Sequence, residues 1–272
     1  MKVFISADME GVAGVVDWEQ CRAGGAGYEV GCRLLLGEVN AAIEGALAAG
    51  ATSVTVTDAH GLMANLAPDG LAGRTSYRSG RSEPDYMMAG LDASYDAVLF
   101  IGYHGAMPSP SVLSHTYNPR VVSDARIGGV RAGESGINAL AATGHGVPIA
   151  VITGDQYVGP EAEPFCPGIT PVVVKQSLGR ESAESMHPDG SRQAIRDAVV
   201  AALGNLGQLS PPPLLGDLEV DVLTTDMAAL AARVRGVERT GERTVTIATT
   251  DPLDAYRSFT AAIAITRNLS TS

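Results

Sequence analysis

The chain has 272 residues, 45% hydrophobic and 18% charged, which is enough apolar material to offset the entropy of ordering and excludes a disordered chain. Nineteen Lys and Arg against thirty Asp and Glu leave a net charge of −11, arguing against a sequence-independent grip on nucleic acid or docking on an anionic membrane. The three cysteines, Cys21, Cys32 and Cys166, make no disulfide framework, and no apolar run suits a signal peptide or a membrane span, so a soluble, cytoplasmic protein is expected.

In chain order, Lys2 to Ala7 is short, apolar and β-rich, and predicts a buried parallel strand that delivers Asp8-Met9-Glu10-Gly11 at its carboxyl end. Leu34, Leu35, Val39, Ile43 and Leu47 recur at helical spacing within Tyr28 to Ala49, and Gly50 closes that helix. Thr52 to Thr57 predicts a second strand, ending in Asp58-Ala59-His60-Gly61. After a short helix over Pro84 to Leu91, a third strand from Ala97 to Tyr103 delivers His104-Gly105. Val112 to Tyr117 predicts another short strand, and Gly133 to Thr143 a helix that opens with Glu134. Val147 to Thr153 reads as a strand leading into Gly154-Asp155, Thr170 to Val174 as a strand, and Ser191 to Leu203 as an amphipathic helix.

This alternation predicts an α/β fold, a mostly parallel sheet with helices on both faces, whose functional groups collect at the carboxyl ends of the strands. Pro211-Pro212-Pro213 interrupts it. Strands near Leu218 to Leu223 and Thr244 to Thr249 and a helix from Leu253 to Thr266 follow, predicting a smaller C-terminal α+β subdomain over 214–272 beside a core over 1–209.

Asp8 and Glu10 are two residues apart, so in extended backbone both carboxylates project to one side and repel unless a cation separates them. His60 and His104 come from other strand ends, and Glu134 from a helix start. Three carboxylates and two imidazoles suit Zn²⁺ better than Mn²⁺ or Co²⁺, and Asp8 is the natural bridge for two ions about 3.5 to 4 Å apart. Alone, an Asp-x-Glu pair at a strand end is more often a solvated turn, and Asp58-x-His60 or a lone His104 a turn residue. Their joint placement at successive strand ends favours the metal reading. His115, beside Ser114 and Thr116, serves as general acid or base or as an oxyanion donor if it faces the site; a strand histidine bonded to backbone is an equal alternative. His145 reads as a helix C-cap and His187 as a surface turn. Asp58 and Asp155 are candidates for orienting a metal-bound imidazole, with turn and capping roles more common for such residues. With no Cys-x-x-Cys pair, phosphate loop or dinucleotide fingerprint, a thiol nucleophile or nucleotide site has little support.

The stretch Ser6-Ala7-Asp8-Met9-Glu10-Gly11 resembles the S-x-D-x-E-G signature of the D-aminopeptidases of peptidase family M55. Thr57-Asp58-Ala59-His60-Gly61, Gly102-Tyr103-His104, Ser114-His115, Gly133 to Ala139, Gly154-Asp155 and Val174-Lys175-Gln176 are similar to the family's blocks, in the family's order, as is Leu253-Asp254-Ala255-Tyr256 near the end. The resemblance implies a di-zinc site with Asp8, Glu10, His60, His104 and Glu134 as ligands and His115 as the catalytic histidine. It also implies a homodecamer of two stacked pentamers, and short peptides with N-terminal D-residues as substrates. The expected activity is therefore a zinc-dependent aminopeptidase using activated water. The ligand set alone also admits a di-metal amidohydrolase or phosphoesterase, or a peptide-binding protein with structural metals.

Overall fold

The computed structural model describes residues 1–81 and 85–271. In chain order the elements are β1 (Lys2–Ala7), α1 (Trp18–Cys21), α2 (Tyr28–Ala48), β2 (Ser53–Asp58), β3 (Ser76–Arg78), β4 (Ala97–Ile101), β5 (Val122–Ile127), β6 (Val130–Arg131), α3 (Glu134–His145), β7 (Ile149–Asp155) and α4 (Val158–Ala162). They continue with β8 (Thr170–Gly179), β9 (Ser182–Ser185), α5 (Pro188–Gly204), β10 (Leu218–Val222), α6 (Thr225–Ala231), β11 (Val237–Arg239), β12 (Thr244–Ile247) and α7 (Pro252–Thr266).

The main sheet has seven strands in the order β3-β2-β1-β4-β7-β8-β9. Every neighbouring pair is parallel except the β8–β9 hairpin. Central β4 is apolar along its length, and β1 is apolar apart from Lys2 at its start and buried Ser6, because both faces are covered, as expected of parallel strands. Val3, Ile5, Leu99 and Ile101 share a core with Leu35, Val39 and Ile43 of α2 and Ile195 and Val199 of α5. Phe4, Val98 and Phe100 share the other core with Ile137 of α3, Tyr256 and Phe259 of α7, and a second sheet. The expected α/β architecture, with helices on both faces of a mostly parallel sheet, is the one observed.

The second sheet has five strands, in the order β11-β12-β10-β5-β6, with all neighbouring pairs antiparallel. It takes β5 and β6 from the stretch before residue 209 and its other strands from after 214. The boundary read at the proline run is thus crossed by the β5–β10 ladder.

One expected strand is absent. Val112 to Tyr117 is irregular, with Leu113 at φ 51° and Tyr117 at φ 59°, because the Asp155 carboxylate accepts the Ser111 hydroxyl (2.7 Å) and the Val112 N–H (2.8 Å). Left-handed residues two and six positions from that anchor cannot join a ladder. The short helix expected over Pro84 to Leu91 contains a 3₁₀ turn, Tyr86–Met88, and Pro84 lies outside the described residues. α5 starts three residues earlier than expected, with His187 as its N-cap, and β8 runs on past Val174 into the β9 hairpin. Among the described residues no helix is long and apolar enough to cross a membrane.

Candidate active site

The loops leaving β1, β2 and β4 meet the first turn of α3. Two glycines permit the approach. Asp8 N–H donates to the Ile101 carbonyl and Gly11 N–H to the Gly102 carbonyl, each at 2.8 Å. A Cβ on Gly11 would stand 1.9 Å from the Tyr103 carbonyl oxygen. One on Gly102, whose φ is +73°, would stand 2.1 Å from that of Asp8. Side chains are therefore excluded where the two loops touch.

Asp8, Glu10, His60, His104, His115 and Glu134 converge there, each buried to between 2% and 8% exposure. His60 Nε2 donates to the Cys21 carbonyl at 2.7 Å, so its Nδ1 faces Asp8 Oδ1 at 3.1 Å and Glu10 Oε2 at 2.9 Å. His104 Nδ1 donates to the Gly105 carbonyl at 3.0 Å and turns Nε2 toward Asp8 Oδ2 at 3.4 Å and Glu134 Oε1 at 3.6 Å. His115 Nδ1 donates to the Leu113 carbonyl at 3.0 Å, leaving Nε2 3.6 Å from the same Glu134 oxygen. A carbonyl only accepts, so each backbone contact assigns the proton to one ring nitrogen and presents the other's lone pair to carboxylates. Lone pairs facing anions are repulsive unless a proton or a metal ion lies between them.

The unpaired atoms point the same way. Asp8 Oδ2 and His104 Nε2 are buried without a hydrogen-bond partner. Such groups are costly in a folded interior unless an ion completes them. Donor atoms of Glu10, Cys21 and His60, of His104, His115 and Glu134, and of Asp8, Glu10 and His104 form three groups, each with its members within 4.8 Å of one another. Carboxylate oxygens and imidazole nitrogens at this spacing fit zinc.

Protonation without metal reflects the same crowding. Burial opposes charge on His104, but Glu134, Asp8 and Glu10 carry its pKa up to about 10, and Glu10 and Asp8 likewise hold that of His60 well above its ordinary value. Burial and the neighbouring Glu10 raise Asp8. Against their own burial, Glu10 is held low by His60 and Glu134 by His104. His115 goes the other way. Burial and the nearby His104 lower its pKa, and the two rings stack with centroids 4.1 Å apart.

The other candidates lie elsewhere. His145 ends α3, and His187 caps α5 on the surface. Asp58 accepts the backbone N–H groups of Asn65 and Leu66 and so shapes the loop carrying His60, while Asp155 holds the loop carrying His115; neither touches an imidazole. The three cysteines are free, and Cys21 serves His60 through its carbonyl.

Several contributors had no assigned role in the sequence. Lys175 Nζ, buried under the loop after β1, donates to the carbonyls of Glu10 (2.5 Å), Val12 (3.0 Å) and Val15 (2.6 Å). The Tyr117 N–H donates to Glu134 Oε1 at 2.7 Å, and Asn138 Nδ2, one turn further along α3, donates to the Tyr103 hydroxyl at 2.8 Å. Membership of a motif block was the only available signal for Lys175, Tyr103 and Asn138. The site opens into a cleft of about 790 Å³ that Trp18, Tyr86, Tyr117 and Arg180 also line.

A family model described as D-aminopeptidase matches residues 1–261. The chain belongs to peptidase family M55. Over 269 residues it is 32% identical to a D-aminopeptidase of Bacillus subtilis (strain 168), covering 95% of each chain. Its fold is similar, with a TM-score of 0.92 and 31% identity over 98% of each chain, to a structure described as the Zn-dependent D-aminopeptidase DppA from Bacillus subtilis, a self-compartmentalizing protease. As an M55 member the chain is an aminopeptidase, and its cleft carries a metal-type donor set.

Proposed function

We propose that this chain is a zinc-dependent D-aminopeptidase that removes N-terminal residues from short peptides. The observation that carries the reading is the set of three buried carboxylates facing three imidazoles, each ring pinned at one nitrogen by a backbone carbonyl. In this reading Asp8, Glu10, His60, His104 and Glu134 would hold about two Zn²⁺ per subunit. When bound, zinc acidifies water toward neutral pH and polarises the scissile carbonyl.

The remaining work falls to the chain. His115 is the catalytic histidine: its lowered pKa keeps it neutral near pH 7, and its Nδ1 proton is committed to Leu113, so Nε2 is free to take a proton and return it to the leaving amine. The peptide's free α-amine would sit at this donor set, and the cleft has room for a short peptide.

The self-compartmentalizing character of the DppA structure supports a homo-oligomer here, and we extend the reading to a decamer in the cytoplasm. Metal content per subunit, measured together with alanine release from a panel of L- and D-aminoacyl dipeptides, tests the proposal. Expected are about two zinc ions and chelator-sensitive cleavage of D-alanyl-D-alanine. Fully zinc-loaded protein that cleaves none of the panel would overturn it.

A further inference from the structure

A peptide whose free α-amine sits at the metal site of Asp8, Glu10 and Glu134 carries a carboxylate at its other end. In a chain of net charge −11 that carboxylate is repelled unless a local cation receives it. The cleft provides three arginines, Arg22, Arg120 and Arg180. Arg22 is engaged by Glu19. Arg120 and Arg180 have no carboxylate partner among the described residues.

Arg180 is also held in place. Its Nη2 donates to the Ser114 carbonyl at 2.8 Å, and its own carbonyl accepts the Leu113 N–H at 2.7 Å. Arg180 is thereby tied to the two residues preceding His115, its guanidinium through Ser114 and its backbone through Leu113, with most of the five guanidinium N–H donors uncommitted. Arg120 lies beyond His115 on the same loop, where its backbone N–H donates to Asn118 Oδ1 at 2.9 Å. A planar guanidinium fork matches a carboxylate in two-pronged geometry, and a second cation strengthens capture.

We propose that Arg180, assisted by Arg120, binds the free α-carboxylate of a short peptide, so that the cleft of a single subunit reads both ends of its substrate. The inference rests on the peptidase reading above and narrows it: di- and tripeptides with a free C-terminus are selected over their amides and over longer chains. Length selection then resides in the subunit itself, independent of any assembly.

Trp18 supplies the readout. It is the only tryptophan in the chain, it lines the cleft, and its ring centroid lies 5.4 Å from that of His115. Stopped-flow Trp18 fluorescence on the zinc-loaded protein measures the binding of D-alanyl-D-alanine and of its C-terminal amide before turnover. The wild type should bind the free acid about ten- to a hundredfold more tightly, the range of a charge-assisted hydrogen bond. Arg180→Gln should bring the ratio to within about threefold, Arg120→Gln should reduce it partway, and Arg22→Gln should preserve it, all at unchanged zinc content. Equal binding of acid and amide by the wild type, or a ratio that survives in the Arg120→Gln/Arg180→Gln double variant, would overturn the proposal. If the wild type discriminates but releases no alanine, the peptidase reading fails while the carboxylate site stands.

Discussion

Replacing Lys175 with Met keeps the length of the side chain and removes its ammonium, which isolates the role of that charge under the metal loop. The ammonium satisfies three buried carbonyls, of Glu10, Val12 and Val15. Orphaning each costs roughly 1 to 3 kcal/mol, about 6 kcal/mol for the three. Against this, burial lowers the Lys175 pKa from 10.5 to about 8, so the wild type bears roughly 3 kcal/mol for keeping the buried group charged, and the variant is relieved of it. The net loss is about 3 kcal/mol, which in a chain of this size lowers Tm by about 10 °C. Since the Glu10 carbonyl is one of the three, the Glu10 carboxylate should also be displaced, weakening zinc binding by about tenfold or more. Thermal unfolding of the zinc-free protein and competitive zinc titration measure the two effects. A Tm within about 2 °C of wild type together with unchanged zinc affinity would refute the view that this ammonium anchors the loop.

Gly102→Ala should cost more than about 3 kcal/mol and abolish zinc binding, since its Cβ meets the Asp8 carbonyl at 2.1 Å in left-handed backbone; soluble yield, Tm and zinc content report this. Asp155→Ala frees Ser111 and Val112 and releases the loop carrying His115, so turnover should fall about tenfold or more while zinc content holds, measured by steady-state kinetics beside metal analysis. His115→Ala should lower kcat by about two to four orders of magnitude with zinc retained; loss of zinc in that variant would make His115 a ligand. In the zinc-free chain the raised pKa values of His60 and His104 contribute stability that is complete below their unfolded value near 6.5 and lost as pH rises through the folded value, about 10 for His104. Zinc must displace those protons, so its apparent affinity should climb with pH across that window, and a pH-independent affinity in chelator competition would contradict the assignment.

Much of this was written locally in the chain. Mostly apolar β1 and uniformly apolar β4 announce strands buried on both faces, and Asp8, Glu10, His60 and His104 follow strand ends because parallel strands all deliver their carboxyl ends to one edge. Glu134 opens α3 where the helical pattern begins. Periodicity records burial, so it reveals elements and what lies at their ends. It carries no information about partners far away in the chain. The run from Val112 to Tyr117 has the composition of a strand, yet the Asp155 carboxylate, 43 residues away from Val112, bends it into the loop that presents His115. The β5–β10 ladder joins segments on either side of the proline run and spans the division that composition points to. Lys175 sits in an otherwise strand-like stretch, and its partners lie some 160 residues earlier. Which nitrogen of each histidine faces the acids is decided by the carbonyls of Cys21, Gly105 and Leu113, two of them one or two residues away and one brought by α1. Hydrogen bonds are directional and short in range, so chemistry that depends on them exists only once folding has set those atoms about 3 Å apart.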